Sequence, residues 1–158
     1  SVARGLARRE ADYKAHLQAC DANRRGDLDG RGALSEAALA SFTAFFLQVC
    51  IDQIEFMSDL MKPERLRDRI LTWAQEEIRA GNLPLKSDQL LKAILYQGKL
   101  ERGEVDALLG MSERSSRRIT SALLKADVLC SEGTRAPLSL AFPAKYAHRW
   151  LPGLFPES

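Results

Sequence analysis

Arg114, Arg117, Arg118, Ser121 and Lys125, with Arg135 further on, have the types and spacing to read a nucleic acid. Arginine pairs bidentately with guanine in the major groove, and Lys and Arg neutralise phosphates. On a helix turning about 100° per residue, Arg117, Arg118, Ser121 and Lys125 fall within about 60° of Arg114. Ile119, Ala122, Leu123 and Ala126 fall on another face. The pattern predicts an amphipathic helix with a basic outer side. Ser112 and Ser116 lie near its start, and Ser116 joins Ser121 as a polar candidate between the cations. The alternative is a solvated or protein-docking face, since Glu101, Glu104, Asp106 and Glu113 dilute the positive field.

The elements around this helix would aim it. Ser87 is the expected N-cap of a helix through about Gln97 that ends at Gly98. A short helix spans Glu104–Leu109, Gly110 makes a tight turn, and Ser112 caps the basic helix. Helix, short helix, Gly turn, helix is the helix-turn-helix order. VLCSEGTRAPLSLAF then reads as a β-hairpin with Arg135 in its loop, and Pro137 confines the second strand to an edge or a later start. Three helices followed by a hairpin make a winged helix. A last short helix is expected over Ala144–Trp150, before the tail LPGLFPES.

The first half is different. Residues 7–24 read as one helix, with Tyr13, Leu17 and Cys20 on a buried side. The glycines of RRGDLDGRGALSE make a loop. Ser35 caps a long apolar helix to about Leu60, and Pro63 opens another carrying Leu66, Ile70, Trp73, Ala74 and Ile78 at helical spacing. Gly81, Asn82 and Pro84 interrupt the pattern. The expected division is therefore a helical bundle over 1–82 and a winged-helix domain with its tail over 83–158. The fold class is mainly α, with one small hairpin.

Other chemistries find no footing. Cys20, Cys50 and Cys130 sit at no zinc spacing, and His16 and His148 have no ligand neighbours. The loop from Asp21 fails as a calcium site: in either register an Arg occupies the fifth position and no Glu the twelfth. Asp27 and Asp29 fit capping and turn roles better. Neither a phosphate loop nor an ordered Ser/His/Asp set is present. The apolar run FTAFFLQVCIDQIEFM carries Gln48, Asp52, Gln53 and Glu55, which predicts a helix among helices and no membrane span. The 158 residues are 46% hydrophobic and 28% charged, with net charge +2, so a DNA reading must rest on where charges lie. Sparse cysteine predicts reduced thiols in a cytoplasmic protein. A first residue Ser1 with no apolar leader predicts a piece of a longer protein.

The SxxRGLAR entry at Ser1–Arg8, the Tyr13 helix, the GDLDGRG loop at Gly26–Gly32 and the FFLQVCIDQIEFM helix at Phe45–Met57 together resemble the part of Fic-family proteins that follows the catalytic loop. The resemblance covers about residues 1–61. It implies a parent protein that transfers AMP from ATP, with magnesium, to a hydroxyl of a target protein. It also implies a winged helix at the C-terminus, as in many bacterial members. The family's HPFxxGNGRxxR motif is missing: His16 is followed by Leu-Gln and His148 by Arg-Trp. The inhibitory pattern [ST]xxxE[GN] is missing too, because Glu77 follows Glu76. No catalytic residue can be carried over, so this chain is expected to be non-catalytic and to hold no cofactor. Phe42, Phe45, Phe46, Val49, Phe56 and Met57 occupy more than one helix face. Burying a large apolar side chain is worth about 1.5–3 kcal/mol, so this surface is expected to be covered by the chain's own third helix and by a second copy. The partners expected are double-stranded DNA, the missing Fic catalytic region and a homodimer mate. The alternative function is a regulatory interaction module without DNA binding.

Overall fold

The computed structural model describes residues 1–30 and 32–154. These are mainly helical with one small antiparallel sheet, and they separate into two units, Ser1–Asp59 and Leu60–Ser158. The division lies near residue 60, where the sequence pattern had suggested 82.

The first unit is a layer of two short helices along a long one. α1 (Val2–Arg8) and α2 (Glu10–Ala19) meet at Arg9, whose φ of −123° and ψ of 37° break the single helix expected over 7–24. They run along α3 (Glu36–Leu60). Gly5 is buried so closely on α3 that a β-carbon there would lie 2.6 Å from Val49 Cγ1. Arg4 donates to Gln53 Oε1 at 3.0 Å and stacks on Phe56, while Arg9 pairs with Asp52 at 2.6 Å. The Tyr13 and Phe42 ring centroids are 6.2 Å apart, and His16 stacks on Phe45 at 4.7 Å. Cys20 is buried as expected, but Leu17 is 46% exposed, and no residue of α2 is fully buried.

Asp29 folds the glycine loop back onto the start of α3. Its carboxylate accepts from the Ala37 and Arg25 backbone N–H groups at 2.9 and 3.0 Å and from the Ser35 hydroxyl. The Ser35 oxygen in turn accepts from Ala38 N–H at 3.2 Å. Both residues thus take the capping roles their types predicted, satisfying N–H groups that the first turn leaves open. These hydrogen bonds, the Ala37 N–H foremost, lower the Asp29 pKa to about 2. By length and composition α3 could also cross a membrane, yet its Asp52 and Gln53 are occupied by Arg9 and Arg4.

The second unit begins with α4 (Pro63–Arg79), whose Pro63 sits in the first turn. Gly81 follows at φ 79°, with Asn82 N–H on the Glu77 carbonyl and Gly81 N–H on the Ile78 carbonyl. This is a C-terminal cap inside the unit and not a linker. It explains why 82 is no boundary: Leu66, Ile70, Trp73 and Ala74 are buried in the same core as the helices that follow. Trp73 lies 5.2 Å from Trp150 and 4.4 Å from Tyr146, ring to ring. So α4, expected to cover the first two helices, spends its apolar face in the second unit.

The rest runs α5 (Ser87–Gln97), β1 (Lys99–Leu100), α6 (Val105–Leu109), α7 (Glu113–Lys125), β2 (Leu129–Cys130), β3 (Leu138–Leu140) and α8 (Ala147–Trp150). Lys86 caps α5, and Ser87 is its first helical residue, donating its hydroxyl to the Pro84 carbonyl at 2.7 Å. The expected hairpin is present, with β3 starting just after Pro137. It gains a third strand: β1 pairs with β3 on the side away from β2, Lys99 opposite Ser139 and Leu100 opposite Leu138. The last four tail residues, 155–158, lie outside the described residues.

Candidate nucleic-acid interface

The basic helix α7 is held by its inner face. Ile119 and Leu123 are buried in the core of the second unit, which leaves Arg114, Arg117, Arg118, Ser121 and Lys125 exposed together on the outside. The turn before it depends on Gly110, at φ 57° and ψ 44°, where a β-carbon would cost about 1–2 kcal/mol. Lys86 Nζ ties the end of α6 by donating to the Leu109 carbonyl at 2.6 Å.

Ser116 does not belong to the outer surface. It is 1% exposed, and its hydroxyl donates to the Asp106 carboxylate on α6. Contrary to the grouping expected from the sequence, it stands apart from the arginines. The helical wheel already carried the signal, since Ser116 stands about 200° from Arg114. Its job is to pin the two helices that frame the turn.

The far end of α7 fixes the hairpin. Asp127 takes a left-handed φ of 58°, with Val128 N–H on the Leu123 carbonyl at 3.0 Å and Asp127 N–H on the Leu124 carbonyl at 3.0 Å. Lys145 pairs with Asp127 at 3.0 Å, and that hydrogen bond raises the lysine's pKa. The chain therefore leaves the helix in one direction, straight into β2.

A cleft of about 540 Å³ opens between α7 and the hairpin loop, with Arg102, Arg117, Thr120, Ser121, Thr134 and Arg135 among its walls. Arg102 was not foreseen. Its Nε donates to the Ala136 carbonyl at 3.0 Å, bracing the loop that carries Arg135. Only pairing across 34 residues brings it there, so no local pattern could have pointed to it. The cleft is not uniformly basic. Asp106 and Glu113 also line it, and Glu113 forms an i,i+4 pair with Arg117. Both partners are largely exposed, so the pair contributes only about 0.2–0.5 kcal/mol and yields readily to a phosphate. Arg114, Arg118, Lys125 and Arg135 have no carboxylate partner among the described residues. A shallow depression beside Arg114, Ser115, Arg118 and Ser121 extends the same face.

The arrangement can do electrostatics and hydrogen bonding: five outward cations on one helix and an adjoining loop, held by a stiff core. No family model, no curated protein and no solved structure matches this chain.

Proposed function

We propose that the second unit is a winged helix that binds double-stranded DNA, with α7 in the major groove and the β2–β3 loop as the wing. We further propose that the chain is the non-catalytic C-terminal portion of a cytoplasmic Fic-type protein that links AMP transfer to transcriptional regulation. ATP and magnesium belong, in this reading, to the missing catalytic region. Support comes from the order α5, β1, α6, α7, β2, β3 and from the strand order β1-β3-β2. The observation that carries the DNA reading is the shared exposure of Arg114, Arg118, Lys125 and Arg135, without carboxylate partners among the described residues, beside Arg117. A recognition helix needs its cations available.

The test is fluorescence anisotropy of mixed-sequence duplex DNA at 50 and 200 mM salt. If Arg114, Arg117, Arg118, Lys125 and Arg135 each neutralise one phosphate, the log–log salt slope is about −4.5, and affinity falls roughly 500-fold over that range. An Arg114→Ala/Arg117→Ala/Arg118→Ala variant keeps two of the five, so its fall is roughly 12-fold from a much weaker start. No binding at 50 mM salt would sink the reading.

The second reading is a docking module for the missing catalytic region. The acidic residues Asp106 and Glu113 in the cleft favour it, since a protein partner can meet mixed charge where DNA cannot. Its affinity would fall less steeply with salt, because charge pairs are screened but no condensed counterions are released.

A further inference from the structure

Helix α3 carries two apolar stripes on opposite sides. The inner stripe of Phe42, Phe45, Val49 and Phe56 faces α1 and α2. The outer stripe is Ala40, Ala44, Leu47, Ile51, Ile54 and Ser58, at successive steps of 4, 3, 4, 3 and 4 residues. All six are exposed, with Leu47 at 55%, Ile51 at 48% and Ile54 at 65%. A step alternating between three and four is the seam of a helix that packs on another helix, knobs into holes. A helix apolar on both sides is one whose second side has an occupant.

We infer that the occupant is the same seam of a second copy, running antiparallel. The direction follows from charge. Residues 37–51 carry no charge, while Asp52, Glu55 and Asp59 crowd the C-terminal half. Asp52 is turned to the inner side and held by Arg9, so the acidic group that flanks the seam is the exposed Glu55, about 60° from it. A parallel pair sets Glu55 beside its own copy. An antiparallel pair sets Glu55 of one helix against the uncharged stretch 37–51 of the other, with the two helix dipoles opposed. The register follows from the seam itself. Pairing Leu47 with Ile51 of the second copy also brings Ala44 to Ile54 and Ala40 to Ser58, so every seam position is matched, small against large at Ala44. The centre of that register falls beside Gln48, the midpoint of Glu36–Leu60, so the helices overlap along nearly their whole length. Such a contact is isologous and closes at two copies. It does not rest on the DNA reading.

The experiment is light scattering on the whole chain at 100 µM, followed by disulfide trapping. The expected mass is twice 17.6 kDa. A Leu47→Glu/Ile54→Glu variant keeps its helical circular dichroism, since both side chains are exposed, and its dissociation constant rises at least about 100-fold. In a chain whose own cysteines are replaced, Ala40→Cys crosslinks when mixed with Ser58→Cys and not alone, because the two Ala40 positions lie about 27 Å apart along the pair. Any of four results overturns the inference. These are a monomer at 100 µM, a dimer that survives the Glu substitutions, Ala40→Cys crosslinking by itself, and wild-type sedimentation with phosphatidylcholine vesicles that the Glu variant loses.

Discussion

Removing the Ser116 hydroxyl should loosen the helix pair that presents α7 without touching the surface α7 presents. The hydroxyl is buried and donates to the Asp106 carboxylate. A hydrogen bond to a charged group contributes about 1.5–3 kcal/mol, and its loss leaves a partly buried acceptor short of a donor. Asp106 is half-buried, so water reclaims part of the deficit and the lower end applies. Ser116→Ala should therefore destabilise the second unit by about 1.5 kcal/mol, which for a domain of this size lowers Tm by roughly 6–12 °C. The assay is urea unfolding of Ser116→Ala, Asp106→Ala and the double variant, which isolates the pair. Coupling of about 1 kcal/mol or more is expected. Coupling below about 0.3 kcal/mol would refute the claim that the two groups hold each other. A second readout separates structure from recognition. At a temperature where Ser116→Ala is fully folded, its DNA affinity should stay within about twofold of wild type. A tenfold loss in the folded variant would mean that Ser116 does reach the ligand.

Three further outcomes follow from the packing. Gly5→Ala should destabilise the first unit by about 1 kcal/mol: the new β-carbon meets Val49 Cγ1 at 2.6 Å and Gln53 Cγ at 2.9 Å, and overpacking of about 1–3 kcal/mol exceeds the helix-propensity gain of about 1 kcal/mol; equal or higher urea resistance would contradict this. Asp29 has a folded pKa near 2, below the ordinary carboxylate value, so its contribution is complete above about pH 4 and fades as pH falls toward 2; Asp29→Asn should flatten that acid-side loss in thermal melts of the first unit followed by circular dichroism. Trp73→Ala should cost the second unit about 3–5 kcal/mol, because Trp73 is 2% exposed among Tyr146, Trp150 and the α5 leucines, and a loss under 1 kcal/mol would show that the aromatic cluster can collapse around the gap.

What the sequence made legible was whatever is encoded within a turn or two of chain. Ser35, Pro63 and Gly110 mark starts and turns through their own backbone or side-chain chemistry, and each stands where its type predicts. The basic face of α7 was equally readable, being a matter of angle alone. Strand β1 was not, because two residues carry no period; it exists only by pairing with β3. The unit boundary was misplaced for a similar reason. Gly81 looks the same in a linker as in a helix cap, and only the burial of Trp73 against Trp150 tells them apart. The break at Arg9 left no proline or glycine behind it. Arg102 enters the cleft through a partner far along the chain, so its position carried no local signature.

The aromatic cluster of the second unit has an optical consequence. The chain has two tryptophans, Trp73 and Trp150, and both sit in that cluster, with their rings 5.2 Å apart at 76°. Indole emission therefore reports on one unit and is silent about the other. A denaturation curve followed by fluorescence would stay flat while α1, α2 and α3 came apart, and the same curve followed at 222 nm would not. Two probes that disagree would then be the ordinary spectrum of a two-part chain and no sign of a folding intermediate within either part.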